Sequence, residues 1–231
     1  MEIEDLPFSV KKGIPAGFLG GYAVIGDLHL GFEEKLNESG YNVYSKNDEL
    51  LADVTALGTK KLIMLGDVRN KFTEILPKEA GALSKFLNQL AGKFKEVIIT
   101  KGNHDGGLSK IASNIGGVSL VDEFSYRGTG FMHGHRMPSK SLSETVAVVC
   151  TGHLHPAVVV YDSNGMMYKK DCWMLFDLRL PKKRYKDAIL KHGVVFPKFN
   201  AYIGSTDKVR REGFMRCAKI TRRLSTDLIA V

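Results

Sequence analysis

Short apolar runs that end at glycine or at a polar residue mark the first hundred residues of the chain. Tyr22–Ile25, Leu62–Leu65 and Val97–Ile99 are continuous and apolar, which predicts three buried strands. Apolar residues at helical spacing lie between them and predict helices from residue 47 to about 57 and from 77 or 78 to about 91. Strands that alternate with helices indicate a parallel sheet with right-handed crossovers.

The second half of the chain carries shorter runs, apolar or alternating, that turn residues separate and that predict strands. They are Val118–Leu120, Glu123–Tyr126, Gly130–Met132, Thr145–Cys150 and Ala157–Tyr161. Ser-Asn-Gly at residues 163–165 is a hairpin signal between Val158–Tyr161 and Met166–Tyr168. Trp173–Phe176 is a further predicted strand, and a short helix is expected over residues 108–114. This half is therefore expected to be β-rich, with antiparallel hairpins.

The two halves together predict an α/β chain, in detail an α+β sandwich. Two mixed β-sheets would pack face to face with helices on the outer faces, because that arrangement buries every apolar run. With 231 residues, no internal repeat and no long linker, we expect one domain over residues 1–231. Residues 32–45 are polar and predict a loop with one helical turn at most.

Composition adds little to this prediction. The apolar and charged fractions, 44% and 25%, are typical of soluble globular proteins, and no apolar run approaches the length of a membrane span. The acidic start of the chain lacks the pattern of a secretory signal, so we expect a cytoplasmic location. Cys150, Cys172 and Cys217 lie far apart, which indicates buried thiols and neither a disulfide framework nor a zinc knuckle.

Charge is spread unevenly along the chain. Residues 169–231 hold 16 Lys and Arg against 6 Asp and Glu, whereas the first 168 residues hold 17 against 19. A basic, β-rich C-terminal part can bind a polyanion such as DNA or RNA. A solvated surface is the other interpretation, because the basic residues are scattered and do not form one run.

Polar residues able to bind metal follow five of the apolar runs, and six of the seven histidines lie among them. Ligand sites of open α/β sheets gather at the carboxyl ends of strands. A pair of divalent ions needs a bridging carboxylate and several neutral donors, and Asp67, alone after Gly66, is the natural bridge. A zinc site made of histidines alone is the weaker alternative, because Asp27 and Asn103 would then be unused. The clusters are Asp27-Leu28-His29, Gly66-Asp67, Gly102-Asn103-His104-Asp105, His133-Gly134-His135 and Gly152-His153-Leu154-His155.

This ordered series resembles the calcineurin-like metallophosphoesterase superfamily over residues 27–155. Residues 27–32, Asp-Leu-His-Leu-Gly-Phe, are similar to a prokaryotic branch that contains DNA-ligase-associated and archaeal nuclease-related phosphoesterases. The segment Phe196–Gly204 resembles the same branch. The resemblance implies a two-sheet sandwich flanked by helices, in agreement with the fold predicted above.

The resemblance also implies metal ligands. One ion would be held by Asp27, His29 and His155. The other would be held by Asn103, His133 and His153, and Asp67 would bridge both. Two divalent ions are implied, with Mn²⁺ first and iron, zinc, nickel or magnesium as alternatives.

The activity that follows is hydrolysis of phosphoesters, with phosphodiesters preferred, by a hydroxide formed from a metal-bound water. His104 matches no ligand position and is expected to donate a proton to the leaving group or to stabilise the transition state. Asp105 would orient the His104 ring, unless it caps the loop. Arg69 and Arg136 are candidate phosphate contacts, with surface ion pairs as the alternative.

His135 is expected to orient His133 from behind or to touch substrate. Nucleic acid is a candidate substrate, and a phosphodiesterase or phosphatase for small molecules or nucleotides is the alternative. A scaffold without catalysis is disfavoured, because all seven ligand positions are filled. Trp173–Phe176 and Phe196–Tyr202 carry more apolar side chains than a short tail needs, which predicts either a homodimer contact or a place in the core.

Overall fold

The computed structural model describes residues 5–209 and 211–227. The remaining positions, residues 1–4, 210 and 228–231, include the acidic start of the chain and part of the predicted basic region. Among the described residues, no helix combines the length and the apolar character that a membrane crossing requires.

The first sheet has six strands in chain order, and its last four strands are parallel. Its first two strands form an antiparallel hairpin that adds the beginning of the chain to the sheet edge. Helical crossovers join the parallel strands, as the alternating pattern predicts. The strands are β1 (Ser9–Lys11), β2 (Ile14–Leu19), β3 (Tyr22–Ile25), β4 (Lys61–Met64), β5 (Glu96–Thr100) and β6 (Val118–Val121).

Helices cover one face of this sheet. Leu62 and Met64 of β4 face the helices and pack with Leu87, whereas Ile63 and Leu65 face the other way, as the period of two along a strand requires. The third helix starts at Pro77, whose missing N–H costs nothing in the first helical turn. The helices are α1 (Phe32–Glu38), α2 (Asn47–Thr55), α3 (Pro77–Lys93), α4 (Ser109–Ala112) and α5 (Lys140–Thr145).

The second sheet is mixed. Its strands are β7 (Glu123–Tyr126), β8 (Thr129–Met132), β9 (Val148–Thr151), β10 (Ala157–Tyr161), β11 (Met167–Leu178), β12 (His192–Val195) and β13 (Ala218–Ser225). They lie in the order β10-β11-β12-β9-β8-β7, and β13 pairs with β11. The predicted hairpins β7–β8 and β10–β11 are antiparallel. However, β8, β9 and β12 run parallel to one another, which the sequence pattern did not predict.

Aromatic side chains fill the space between the two sheets. Phe131, Trp173 and Phe196 are fully buried there and pack with Val24 and Ile63 of the first sheet. The rings of Trp173 and Phe196 meet edge to face, with centroids 4.5 Å apart. Residues of α5 pack on the outer face of the second sheet. The predicted sandwich is confirmed, and the apolar side chains of Trp173 and Phe196 belong to the core and give no basis for a dimer contact.

Three local predictions were wrong. Residues 32–38, expected as a loop, form α1. Residues 140–145 form α5, so that the strand expected from residue 145 starts only at Val148. The two strands expected around Tyr168 and Trp173 are one strand of 12 residues, β11. Its polar middle, where Lys169 and Lys170 pair with Asp207 and Asp227, interrupts the apolar pattern but not the backbone pairing.

Candidate metal centre

The five polar clusters meet at one edge of the sandwich. Asp27 follows β3, Asp67 follows β4 and Asn103 follows β5, all at carboxyl ends of parallel strands. His133 and His153 follow β8 and β9, which are parallel to each other in the second sheet. Side chains from both sheets therefore meet at this edge of the sandwich.

The backbone of this edge is strained. Asp27, His29, Asp67, His153 and His155 all have positive φ, between 43° and 76°, and Arg127 is the other non-glycine residue of this kind in the described chain. Side chains with a Cβ rarely adopt this left-handed region, at a cost on the order of 1–3 kcal/mol each. Such residues persist only where the surrounding structure imposes them, and here five of them share one site.

Two glycines let the loops approach the carboxylates. A Cβ on Gly102 would lie 2.1 Å from Oδ1 of Asp67. A Cβ on Gly152 would lie 2.7 Å from Oδ2 of Asp27. Neither position has room for a side chain, so glycine is required for close approach of the backbone.

The Asp67 carboxylate lies at the centre of the cluster. Its Oδ1 accepts a hydrogen bond from the backbone N–H of His104 at 3.0 Å. Its Oδ2 faces three imidazoles, with Nε2 of His133 at 3.2 Å and Nε2 of His29 and His104 each at 3.7 Å. Oδ1 is therefore hydrogen-bonded to the backbone, whereas Oδ2 faces the histidine side chains.

Asp27, His29 and His155 form one donor group beside Asp67. Nε2 of His155 lies 3.2 Å from Nε2 of His29 and 3.5 Å from Oδ1 of Asp27. The backbone N–H of His153 donates to both oxygens of Asp27 at 3.0 Å and fixes that carboxylate.

Asp67, His133 and His153 form a second donor group, and Asn103 joins it. Nε2 of His133 lies 3.0 Å from Oδ1 of Asn103 and 3.2 Å from Nδ1 of His153. The structure thus brings together all seven residues predicted as ligands. A third group of donors, His29, Asp67 and His104, overlaps these two and was not predicted. The roles of the seven residues as ligands stay a prediction.

The protonation pattern of the histidines fits bound cations. Nδ1 of His133 and of His155 face the carbonyl oxygens of Leu65 and Gly204 at 2.6 and 3.2 Å. A carbonyl only accepts, so each Nδ1 carries a proton and each Nε2 is the nitrogen directed into the cluster. Nε2 of His133 lies 3.0 Å from Oδ1 of Asn103, and Nε2 of His155 lies 3.5 Å from Oδ1 of Asp27, so a cation between these atoms would have donors on both sides.

Burial and charge shift the pKa of these groups in opposite directions. Burial lowers the pKa of His29 to about 4. Burial also acts on His133, but its hydrogen bond to Asp67 and the nearby negative charge outweigh that effect and raise its pKa to about 9. The same histidine, against the effect of burial, holds the pKa of Asp67 well below its usual value. Asp67 therefore stays ionised, and a bound cation competes with a proton on His133.

His104 is oriented by a backbone carbonyl. Its Nδ1 donates to the Asn70 carbonyl at 2.5 Å, which directs Nε2 toward Oδ2 of Asp67. The prediction that Asp105 orients this ring was wrong. Asp105 is fully buried, and its carboxylate accepts from the backbone N–H groups of Val68 and Gly102 at 2.9 and 2.8 Å.

Asp105 connects the loop that carries Asp67 to the loop that carries Asn103. This agrees with the alternative prediction, in which Asp105 caps a loop. Burial raises the pKa of its carboxyl, and the backbone donors oppose that effect. The carboxylate is thus a structural part of the centre and lies behind the predicted ligands.

Arg69 is also structural. Its side chain is fully buried, and it forms a two-point ion pair with Glu79, with N–O distances of 2.7 and 3.0 Å. Its Nη1 donates to the carbonyls of Thr73, His104 and Gly106. The guanidinium has no open face, so the prediction of a phosphate contact was wrong.

His135 packs behind His133 and His153, two of the predicted ligands. Its ring centroid lies 5.3 Å from that of His133 and 6.2 Å from that of His153, and burial lowers its pKa to about 4. Arg136 is exposed beside it. Neither residue lines the cleft over the centre, so substrate contact by either is not supported there.

The cleft includes residues that sequence reasoning missed. Oε1 of Glu212 lies 3.4 Å from Nε2 of His153, on the far side of the ring from the cluster, and can orient it. Phe72 and Lys208 line the cleft opening. No local pattern marks these residues, because each reaches the site only through the folded chain. The cleft, of about 380 Å³, is lined by His29, Asp67, Phe72, Asn103, His104, His153, Leu154, His155, Gly204, Ser205, Thr206, Lys208 and Glu212.

Replacement of Asp105 by alanine leaves buried N–H donors of Val68 and Gly102 without partners. We expect Asp105→Ala to lower the free energy of unfolding by about 2–4 kcal/mol. It should also weaken metal binding, because the loops of Asp67 and Asn103 are then no longer connected by the Asp105 carboxylate. Urea unfolding with EDTA present measures the first effect, and titration with Mn²⁺ measures the second. If Asp105→Ala were as stable as the exposed control Asp122→Ala, the structural role assigned to Asp105 would be wrong.

Comparison with known proteins places this arrangement in context. The calcineurin-like phosphoesterase family matches residues 22–192. Comparison with curated proteins finds no match. The structure of the nuclease MPE from Pseudomonas putida is similar, with a TM-score of 0.57 and 17% sequence identity over 84% of each chain. At that identity the likeness shows the fold alone.

Two further solved structures are more distant. The protein of unknown function AQ665 from Aquifex aeolicus has a TM-score of 0.38 and 15% identity, over 62% of this chain and 81% of that one. Wild-type Vps29 from Entamoeba histolytica, complexed with zinc, has a TM-score of 0.34 and 13% identity, over 80% and 79% of the two chains.

Proposed function

Because the chain belongs to the calcineurin-like phosphoesterase family, we propose that it hydrolyses phosphodiesters with two divalent metal ions that share Asp67. Metal-dependent hydrolysis of phosphoesters follows from the family and from the Asp and His clusters. The finer assignments of two ions, a diester and nucleic acid are our proposal.

The position of Asp67 carries the proposal of two ions. Its Oδ2 lies 3.7 Å from Nε2 of His29, which groups with Asp27 and His155, and 3.2 Å from Nε2 of His133, which groups with Asn103 and His153. Mixed carboxylate, amide and imidazole donors suit manganese, iron or zinc, and we expect Mn²⁺ first. Bound ions would stabilise charge on the phosphate oxygens and activate the attacking water.

His104 is positioned to move a proton. The Asn70 carbonyl accepts from Nδ1, so a proton that His104 donates during the reaction would leave from Nε2. Nε2 points into the cleft beside Oδ2 of Asp67, where the leaving oxygen of a bound phosphoester can accept that proton.

Two features favour nucleic acid as the substrate. Tyr185 donates to the Pro138 carbonyl at 2.8 Å and anchors the exposed basic residues 182–184 beside the segment that carries Arg136. Such a surface attracts a polyanion. The similar nuclease from Pseudomonas putida gives a second reason to test nucleic acid first. The prokaryotic branch, a cytoplasmic location and a homodimer stay predictions.

A phosphodiesterase for small molecules or nucleotides is the second candidate. The cleft, at about 380 Å³, lies within the size range of small-ligand pockets. The two candidate substrates differ in size. A small molecule needs only the cleft, whereas nucleic acid must extend beyond it.

Metal content tests the number of ions. Protein loaded with Mn²⁺ and freed of excess metal should retain about two ions per chain, one in each of the two predicted ligand groups. Asp67→Ala should lose most of both, whereas His155→Ala should lose mainly one. Elemental analysis gives the count. A single ion in the wild-type protein, or full content in Asp67→Ala, would overturn the shared carboxylate.

A substrate panel with Mn²⁺ tests the activity. The panel holds bis(p-nitrophenyl) phosphate, p-nitrophenyl phosphate, cyclic nucleotides, and single- and double-stranded DNA. We expect the diester to be cleaved faster than the monoester, and DNA to be cleaved with rates that fall as salt rises. Equal turnover of monoester and diester without DNA cleavage would favour the small-molecule candidate.

Removal of the His104 side chain separates proton transfer from metal binding. We expect His104→Asn to lower kcat about 10²- to 10⁴-fold, the usual range for a general acid. Metal content should be unchanged, because His104 is no ligand in this proposal. The loss should be smaller for a p-nitrophenyl ester, whose leaving group needs little protonation. Loss of metal in this variant would instead make His104 a ligand.

A further inference from the structure

Phe72 stands in an unusual position for a large apolar residue. It lies in the loop between β4 and α3, and 68% of it is exposed to solvent. Its ring centroid is 3.6 Å from that of His104, at an angle of 35° between the ring planes. One side of the phenyl ring is therefore occupied by the proposed proton donor, while most of the ring remains accessible at the cleft.

The same ring borders a second groove. Phe72 lines both the cleft over the metal centre and a neighbouring groove of about 710 Å³. The groove also holds apolar side chains, Ile75 and Ile111, and the exposed cation Lys110. Phe72 thus forms the ridge between the two concave surfaces, and a chain longer than one phosphoester would have to pass over it.

The ridge is fixed to the framework behind the centre. Nη1 of Arg69 donates to the Thr73 carbonyl next to Phe72 and to the His104 carbonyl, at 2.9 and 3.3 Å. The buried Arg69–Glu79 ion pair holds that guanidinium. The loop of Phe72 and the loop of His104 are therefore tied through one side chain, which sets the ring beside the reacting groups.

We propose that Phe72 is a stacking platform for the nucleobase next to the scissile phosphate, and that the strand continues from there into the second groove. This inference rests on the proposed phosphodiesterase function and names its substrate class as single-stranded nucleic acid. Stacking on an aromatic ring accepts every base, because each has a π-face. Removal of such a contact weakens binding roughly 5- to 150-fold.

A competing role for Phe72 is to buttress His104 without touching substrate. The two roles predict different patterns. A buttress affects kcat with every substrate to the same extent, whereas a stacking platform acts mainly on KM and only when a base is present.

The test uses two single-stranded oligonucleotides, each with one cleavable phosphodiester and methylphosphonates elsewhere. One carries a normal base beside that bond, and the other carries an abasic tetrahydrofuran residue there. Phe72→Ala removes the ring, and Phe72→Leu keeps apolar bulk against His104 without an aromatic face. Tyr161→Ala is the matched control, because Tyr161 is also 68% exposed but does not line the cleft.

With wild-type protein and Mn²⁺, loss of the base should raise KM about tenfold. Both Phe72 variants should show that higher KM with the normal base and little further change with the abasic residue. Tyr161→Ala should behave as wild type. Melting temperatures close to that of wild type would verify that the variants are folded.

Equal KM for the two oligonucleotides with wild-type protein would overturn the platform. So would an equal loss of kcat on both oligonucleotides in Phe72→Ala with recovery in Phe72→Leu, the pattern of a buttress. Cleavage of bis(p-nitrophenyl) phosphate but of neither oligonucleotide would overturn the inference and leave the phosphodiesterase function standing. Absence of cleavage with all three would instead overturn the proposed function.

Discussion

The burial of two carboxylates, Asp27 and Asp67, is the constraint on which this molecule depends. Both are almost completely removed from water, and an ionised carboxylate there is costly without partners. Backbone N–H groups of His153 and His104 satisfy one side of each. The other side faces imidazole nitrogens, and cations bound between these groups would balance the two negative charges. A buried, negatively charged site of this kind suits the metal chemistry of the phosphoesterase family.

Both sheets contribute residues to this buried site. Asp27 and Asp67 come from the first sheet, whereas His133 and His153 come from the second. Packing between the sheets, with Trp173 in the middle, therefore sets the distances among the ligands as well as the stability of the fold. A cation that binds both sheets at once stabilises the folded state over the unfolded chain.

Much of this architecture could be predicted from the sequence. The strands β3, β4 and β5 are continuous apolar runs, and hydrophobic pattern alone identifies them. The seven residues expected as ligands converge because strand ends of parallel sheets meet at one edge. The strands β12 and β13 escaped prediction. β12 starts with His192 and Gly193 and so has only two apolar residues, and β13 interrupts its apolar residues with Lys219, Arg222 and Arg223.

The roles of individual loop residues were less predictable. Asp105 and Arg69 stand beside predicted ligands and carry the right chemistry, yet both point away from the cleft. Sequence proximity indicates which loop a residue belongs to, but not which side of the loop its side chain takes. Glu212 and Phe72 show the opposite. They lie in segments without any motif, yet their side chains reach the centre.

The left-handed backbone at the centre has a consequence for how this protein can change. At Asp27, His29, Asp67, His153 and His155 the chain holds conformations that glycine or asparagine would adopt with less strain. Replacement of any of these residues by glycine would therefore relieve backbone strain, but it would also remove a side-chain donor from the centre. At these five positions the conformation of the main chain and the chemistry of the site favour different residues.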